Sequence, residues 1–274
     1  MNLSVESHST QTGQPLNVVC ALWAATSRAH ARKTRRAKAY GHEHVNALQQ
    51  MIQRNSTVPF QLWCVTNTAT RGRLDDRINV VAMPQSAAAL PSQYPKLWLF
   101  SREFADHIGV GRPFLYTDLD VVIVGDVARM TRPGDDYCFR ANHETPEHAP
   151  RYRLVSRWRR RFVRRKVSAP LNSSFFWHVA GSLPNIWESF DLSHAKRIKG
   201  WSGTDQKWIS YCLEEYKYFP PSSIEFESLW ELDQQGAPPG PDCVAVTCSH
   251  KTKPWDPEVV RRNAWLREVH PRAS

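Results

Sequence analysis

Two carboxylates, Asp118 and Asp120, have the types and spacing that most directly indicate chemistry in this sequence. They are separated by one residue and follow an apolar segment at residues 113–117. Two carboxylates this close together can point at one divalent cation, whose remaining positions water and a diphosphate can fill. The same spacing also occurs in turns and calcium-binding loops, so its meaning depends on the elements around it.

The elements that must position these carboxylates alternate between strand and helix. Apolar runs typical of buried strands lie at residues 17–23, 60–65, 79–82, 113–117 and 121–124. Helical spacing of apolar residues predicts helices over 45–52 and 96–107. This alternation predicts an α/β fold in which a mixed, mostly parallel sheet is flanked by helices, with a Rossmann-like nucleotide-binding half. Ligands of such sheets bind at the carboxyl ends of strands, where Asp118 and Asp120 lie.

Length and composition limit the class of protein. The 274 residues, with 41% hydrophobic and 23% charged side chains, exclude an intrinsically disordered or collagen-like chain. We expect a polar tail over residues 1–15 and a single domain over 16–274, because no long linker divides the remainder.

The first fifteen residues contain no apolar signal-peptide core and no apolar run is long enough to span a bilayer, so we expect a cytoplasmic protein. Six cysteines without C-x-x-C spacing are expected to be buried free thiols.

The positive charge is concentrated in two segments. The formal charge of +10 comes from 36 basic and 26 acidic residues, and the 28–38 and 151–166 segments hold six and nine Lys or Arg with no acid. Such clustering indicates a patch for an anionic partner, whether nucleic acid, phospholipid or nucleotide phosphate, although a solvated face has the same composition. In the second segment Leu154, Trp158 and Phe162 recur every four residues, as in an amphipathic helix. That helix would lie on a membrane surface or present its arginines to another polyanion.

The stretch from Leu115 to Asp126 resembles the metal-binding segment of GT-A glycosyltransferases, particularly glycosyltransferase family 8 and related bacterial enzymes. Four other segments resemble motifs of that family and follow in the family's order. They are Lys96–Phe100, the Asn-Ser strand at Leu171–Phe176, the Asp-Gln stretch at Gly203–Ile209, and Lys253-Pro-Trp255. Together the matches cover nearly the whole chain, from about residue 17 to 256.

The resemblance implies a role for each matching residue. Asp118 and Asp120 would bind Mn²⁺ or Mg²⁺ that bridges the diphosphate of a donor, and Lys253 would contact phosphate. His250, which lies closer to Lys253 than the family pattern places its metal-binding histidine, is either a third metal ligand or a bystander.

Four further residues would contribute to the donor site. Lys96 and Asn172 would face the sugar or the nucleotide of the donor, and Asp205 and Gln206 would lie beside the anomeric carbon. Two other interpretations remain open: the Asn172 segment could be only an edge strand, and Asp205 could be only a helix N-cap.

The implied function is transfer of a sugar from a nucleotide sugar, with a UDP-sugar as first expectation, to a hydroxyl of an anionic acceptor, with retention of configuration. The acceptor would be a lipopolysaccharide core or another membrane glycolipid, reached by peripheral membrane association. Four arginines of the basic helix would bind it: Arg159, Arg160, Arg164 and Arg165. The alternatives are the same chemistry on a hydroxylated base of DNA, or a non-catalytic polyanion-binding protein with a transferase fold.

Overall fold

The computed structural model describes residues 14–24, 40–70, 73–142, 169–198, 203–226, 236–248 and 253–273. The strands in these ranges are β1 (Leu16–Leu22), β2 (Phe60–Thr66), β3 (Asn79–Ala82), β4 (Pro113–Thr117), β5 (Val121–Ile123), β6 (Tyr137–Ala141), β7 (Leu171–Val179), β8 (Ile224–Phe226) and β9 (Ala245–Thr247). The α-helices are α1 (His42–Asn55), α2 (Gln85–Ala88), α3 (Arg102–Ile108), α4 (Asn185–Glu188), α5 (Leu192–Arg197), α6 (Asp205–Cys212), α7 (Pro257–Arg262) and α8 (Leu266–Val269). Short 3₁₀ helices cover Tyr94–Phe100, Val127–Met130 and Pro221–Ser223.

The strands form two sheets. The larger has the order β3-β2-β1-β4-β7-β6, and the smaller has the order β5-β9-β8. In the larger sheet β3, β2, β1 and β4 run parallel, whereas β7 is antiparallel to both β4 and β6. This confirms the predicted α/β class with a mixed, mostly parallel sheet.

Both faces of the larger sheet are covered by apolar side chains. Val18 and Cys20 of β1 belong to the core on one face, with α1 and the smaller sheet, while Val19 and Ala21 belong to the core on the other face, with α3 and α6. Because successive side chains of a strand point to opposite faces, a strand buried on both faces becomes a continuous apolar run. That property identified β1 and β4 in the sequence, whereas β3 is an edge strand of which only Val81 is buried.

The single helix predicted over residues 96–107 is wrong. The chain forms a 3₁₀ helix up to Phe100, and a separate helix, α3, begins at Arg102. Ser101 interrupts them with extended backbone angles (φ −73°, ψ 157°), and its hydroxyl accepts a hydrogen bond from the Phe104 amide. A serine in this role caps a new helix, so the continuous apolar pattern spans two elements.

The six cysteines are free, and four of them are buried, as expected. No helix in the described ranges is both long and apolar enough to cross a membrane. The two basic segments and His250 lie outside the described residues.

Candidate active site

Asp118 and Asp120 occupy the turn at which the chain passes from the larger sheet to the smaller one. β4 ends at Thr117, and β5 begins at Val121. The Asp118 amide donates to the Ser174 carbonyl of β7 (2.8 Å), and the Val121 amide donates to the Asp118 carbonyl (3.2 Å). Backbone hydrogen bonds therefore hold both carboxylates at the carboxyl end of a parallel strand.

Lys96 joins three elements on the Asp118 side of this turn. The 3₁₀ helix places its ammonium 2.8 Å from Asp118 Oδ1 and 3.6 Å from Asp205 Oδ2, and the side chain is only 2% exposed. Lys96 Nζ also donates to the Ser173 carbonyl (3.2 Å). A buried ammonium surrounded by two carboxylates and a carbonyl has the partners that such a burial requires.

Asp205 enters the same cluster from the first turn of α6. Its Oδ2 accepts a hydrogen bond from the Ser173 hydroxyl (2.6 Å), and the residue is buried. Gly203 precedes the helix with φ +76°, a backbone conformation that favours glycine. Antiparallel pairing of β7 with β4 brings Ser173 beside Asp118, so Asp205, Ser173, Lys96 and Asp118 form one connected network.

Asp120 forms an ion pair with a different lysine, Lys253. Lys253 Nζ lies 2.5 Å from Asp120 Oδ2, and the Tyr40 hydroxyl donates to the same oxygen (2.8 Å). β9 pairs antiparallel with β5, with Thr247 opposite Val121, so the chain leaves β9 at the level of Asp120. This pairing explains how a lysine 133 positions away in sequence reaches the acidic turn.

Charge and burial set the protonation of this cluster. Desolvation raises the pKa of Asp118; the Lys96 ammonium opposes this shift, and the Asp120 carboxylate adds to it. Burial alone would lower the pKa of Lys96, but the carboxylates of Asp118 and Asp205 outweigh it and raise that pKa. Burial and Asp118 also raise the pKa of Tyr116, whose hydroxyl donates to Asp118 Oδ1 (2.6 Å). Lys96 is therefore a cation and Tyr116 a hydrogen-bond donor at neutral pH.

The two carboxylates fit a hard divalent cation. Asp118 Oδ1 and Asp120 Oδ2 are held by the lysines and tyrosines, whereas Asp118 Oδ2 and Asp120 Oδ1 accept no hydrogen bond from described residues. Free carboxylate oxygens are the ligands that Mg²⁺ and Mn²⁺ prefer. The described ranges contain no cluster of three or more His, Cys, Asp or Glu side chains arranged to hold a metal. A bound cation would thus need further ligands, such as phosphate or water.

Five residues singled out from the sequence come together at this site: Lys96, Asp118, Asp120, Asp205 and Lys253. Asn172 does not join them through its side chain, because its Oδ1 accepts hydrogen bonds from the amide and hydroxyl of Ser174. Gln206, next to Asp205, is half-buried at the start of α6.

Two competing interpretations of these segments are wrong. β7, which carries Asn172, lies between β4 and β6, so it is not an edge strand. Thr204 is the N-cap of α6 and Asp205 is the first helical residue, whose carboxylate binds Ser173 and Lys96 instead of capping the helix.

Three site residues were missed in the sequence. Ser173 and Tyr116 lie inside the motifs but next to the residues that were chosen, and only the sheet register shows their contacts. Tyr40 belongs to no motif. Its ring lies 5.4 Å from Lys253 Nζ and packs edge-on against Trp255 at 5.9 Å, and no spacing in the sequence could indicate that contact.

No family model and no curated protein matches the sequence. The fold, however, is similar to solved glycosyltransferase structures. The galactosyltransferase LgtC, in complex with donor and acceptor sugar analogs, matches with a TM-score of 0.55 and 10% identity over 93% of this chain and 96% of LgtC. GlyE of Streptococcus pneumoniae TIGR4 has a TM-score of 0.57 and 11% identity, and the bifunctional glycosyltransferase WbbM has 0.54 and 9%.

The match covers 93% of this chain and 60% of GlyE, and 96% of this chain and 52% of WbbM. At such low identity these matches concern the fold, and membership of family 8 stays a prediction. The sheet order, the acidic turn between the two sheets and the structural matches agree: this chain has the GT-A glycosyltransferase fold.

Proposed function

We propose that this chain is a glycosyltransferase that moves a sugar from a nucleoside-diphosphate sugar to a hydroxyl of an anionic glycan acceptor. The observation that carries the proposal is the convergence of two lysine–carboxylate pairs, Lys96–Asp118 and Lys253–Asp120, on one turn of a GT-A fold. A diphosphate needs concentrated positive charge, and a sugar needs fixed polar groups. Lys96 and Lys253 would supply the positive charge only together with a divalent cation on the carboxylates, because three aspartates, Asp118, Asp120 and Asp205, oppose the two lysines.

Each residue of the cluster has a proposed task. Asp118 and Asp120 would hold Mn²⁺ or Mg²⁺, which supplies charge stabilisation for a diphosphate leaving group. Lys253 would exchange part of its contact with Asp120 for a phosphate oxygen. Lys96 would fix the orientation of Asp118 and Asp205, because its ammonium lies between them. Gln206 would contact the sugar.

We propose retention, and the burial of Asp205 argues against a covalent intermediate on its carboxylate. Its Oδ2 is already bonded to Ser173 and lies near Lys96, so it is poorly arranged for attack on carbon. In the proposed reaction the acceptor hydroxyl oxygen bonds to the anomeric carbon on the face from which the diphosphate departs. The carbon–phosphate-oxygen bond breaks, and a phosphate oxygen of the departing group takes the hydroxyl proton.

A screen of nucleotide sugars with and without Mn²⁺ tests the proposal. A donor that binds only the folded chain should stabilise it by about 2.7 kcal/mol at one hundred times its Kd. We expect the sugars of one nucleotide to raise Tm and to be slowly hydrolysed, and UDP is the first nucleotide we expect to do so. If no nucleotide sugar stabilises the protein or is hydrolysed under any of these conditions, the proposal is wrong.

Replacing Asp205 with asparagine should lower kcat by about 10–100-fold and change the donor KM by much less. Asparagine can still accept the Ser173 hydrogen bond, but it removes the carboxylate charge next to Lys96. We expect the interaction of that carboxylate with the sugar to strengthen in the transition state. Steady-state kinetics with saturating acceptor measure both constants.

The matched control for this variant is Asp191→Ala, because Asp191 is an exposed N-cap of α5 whose side chain accepts from the His194 amide. It should cost about 1 kcal/mol of stability and leave kcat unchanged. An unchanged kcat in Asp205→Asn would contradict a role at the sugar.

The acceptor assignment is supported by where the second basic segment joins the described fold. Asn142 donates from its side chain to the Ala169 carbonyl and from its amide to the Pro170 carbonyl (both 2.9 Å). Ser173 of the active site follows four residues after Ala169. The chain between Asn142 and Ala169, which carries nine Lys or Arg, therefore begins and ends beside the start of β7, the strand that contains Ser173.

Neutralising four of these arginines should raise the acceptor KM and flatten its dependence on salt, while donor hydrolysis stays nearly intact. The variant replaces with glutamine Arg159, Arg160, Arg164 and Arg165. Screening over a Debye length of about 8–10 Å should shrink the effect as ionic strength rises. Initial rates with and without acceptor at several salt concentrations measure it.

A control of equal charge neutralises four exposed arginines elsewhere: Arg54, Arg102, Arg261 and Arg267. If the acceptor KM rises equally in the control, the effect of the arginines is one of net charge only. Tighter binding of the wild type to duplex DNA than to anionic vesicles, with a steep salt dependence, would favour the DNA acceptor.

A further inference from the structure

The indole ring of Trp255, two residues after Lys253, is enclosed by side chains from two distant parts of the chain. The His44 ring of α1 lies 4.3 Å from it, measured between ring centroids. In the turn after α8, the His270 ring lies 5.7 Å away, and the guanidinium carbon of Arg272 lies 5.5 Å from the indole centroid. At this distance a guanidinium is attracted to the electron-rich face of an indole. Trp255 therefore links the chain that carries Lys253 to α1 and to the turn after α8.

Arg272 contacts α1 as well as the indole ring. Its Nη1 donates a hydrogen bond to His44 Nε2 and lies 3.7 Å from Glu43 Oε1. A guanidinium can only donate, so the imidazole must be neutral to accept this bond. Burial and, to a smaller extent, the Arg272 charge lower the pKa of His44 to about 4, so the ring is neutral at pH 7. Arg272 thus ties Trp255 to the start of α1.

The backbone that carries Arg272 is held by the core. Ala273 is 1% exposed and belongs to the same apolar cluster as Val45 and Leu48 of α1. The Ala273 amide donates to the His270 carbonyl (3.0 Å), and the Arg272 amide donates to His270 Nδ1 (3.2 Å). Because the turn is anchored in this way, the Arg272 side chain can hold Trp255 at a lower entropic cost than a side chain on a loose segment could.

Fixing the Trp255 ring also fixes Lys253, because both belong to one short turn. The Lys253 amide donates to the Asp256 carboxylate (3.1 Å), and the Asp256 amide donates to the Lys253 carbonyl (2.9 Å). Pro254 lies between the two residues, and its ring restricts rotation of the backbone there. Movement of the indole ring would therefore move the backbone from which the Lys253 ammonium reaches Asp120.

We propose that Arg272 is a positioning residue of the diphosphate site. It holds the Lys253–Trp255 turn against α1, so that the Lys253 ammonium stays at the acidic turn, where it would meet a phosphate oxygen. Arg272 itself would not touch the donor, because its guanidinium is engaged by His44, Glu43 and the indole ring. Phosphate as the ligand of Lys253 rests on the proposed function, whereas the coupling of Arg272 to Lys253 is a property of the fold.

A double-mutant cycle on Arg272 and Lys253 tests this role, with the affinity of the full chain for UDP in Mn²⁺ measured by calorimetry. Arg272→Met should weaken UDP binding about tenfold, and Lys253→Met should weaken it at least as much. The double variant should bind no more weakly than Lys253→Met alone, because Arg272 acts through the lysine. Arg272→Lys keeps a cation over the indole and one donor for His44, so it should recover part of the affinity.

The matched control is Arg267→Met, which makes the same change on the exposed side of α8 and should leave UDP affinity unchanged. If Arg272 only packs, Arg272→Met should lower Tm without changing UDP affinity. That result would overturn the proposal, and so would losses of affinity that add in the double variant.

Urea unfolding of the same four proteins without ligand gives a second cycle that needs no nucleotide. Arg272→Met should lower the urea midpoint less in the Lys253→Met background than in the wild type, because part of its effect is the loosened contact of Lys253 with Asp120. This result together with no UDP binding by the wild type would reject UDP as the ligand and retain the coupling. Equal losses in both backgrounds would reject the coupling.

Discussion

Replacing Asp120 with asparagine should lower kcat for sugar transfer by about 10²–10³-fold, because the loss of one carboxylate removes an electrostatic contribution at the diphosphate. The fold should be retained, since asparagine has nearly the same shape and can still accept the Tyr40 hydrogen bond, but Tm should fall because the buried Lys253 ammonium loses its counterion. Transfer and donor hydrolysis assays in Mn²⁺, together with a melting curve, measure the two effects.

The matched control is Asp106→Asn, which makes the same change on the exposed side of α3. It should have wild-type kcat and Tm. Excess chelator should stop wild-type turnover as completely as the Asp120 substitution does. Full turnover in chelator would show that the reaction needs no metal. Full turnover in Asp120→Asn would show that it does not need the acidic turn.

Replacing Lys96 with methionine should reduce the free energy of unfolding by about 3–5 kcal/mol, because it leaves the buried Asp205 and the adjacent Asp118 without their counterion. Urea unfolding at neutral pH, followed by tryptophan fluorescence, gives this value. Activity should disappear as well, since both carboxylates lose their orientation.

A second substitution separates the ion pair from simple packing. Adding Asp205→Asn to Lys96→Met should recover part of the lost stability, since the buried charge is removed with its partner. Lys217 forms an ion pair with Asp135 but is 37% exposed, so Lys217→Met should cost less than about 1 kcal/mol. If Lys96→Met costs no more than Lys217→Met, the network around Lys96 does not stabilise the fold.

Five strands could be predicted from the sequence almost to the residue, among them β4 and β5 on either side of the acidic turn, whereas β6, β8 and β9 were not predicted. Residues 60–65 and 79–82 were predicted, and β2 and β3 cover Phe60–Thr66 and Asn79–Ala82. Burial on both faces favours uninterrupted apolar residues, and this identifies β1 and β4, whereas β3 is an edge strand whose Val80 is 46% exposed. The boundary at Ser101 could not be identified by apolar spacing, because the 3₁₀ helix and α3 bury their apolar residues in the same core.

By itself, the sequence determined which side chains could do chemistry and where each lies relative to a strand: two carboxylates after β4, a lysine in the apolar 94–100 stretch, and an aspartate at the start of a helix. Their partners were decided only by the tertiary structure. Lys96 could have paired with either aspartate of the turn, and Tyr40 gave no signal at all. These contacts arise because β7 runs antiparallel beside β4 and β9 runs antiparallel beside β5. Strand order and direction are set by packing across the whole sheet, and no local spacing of residues encodes them.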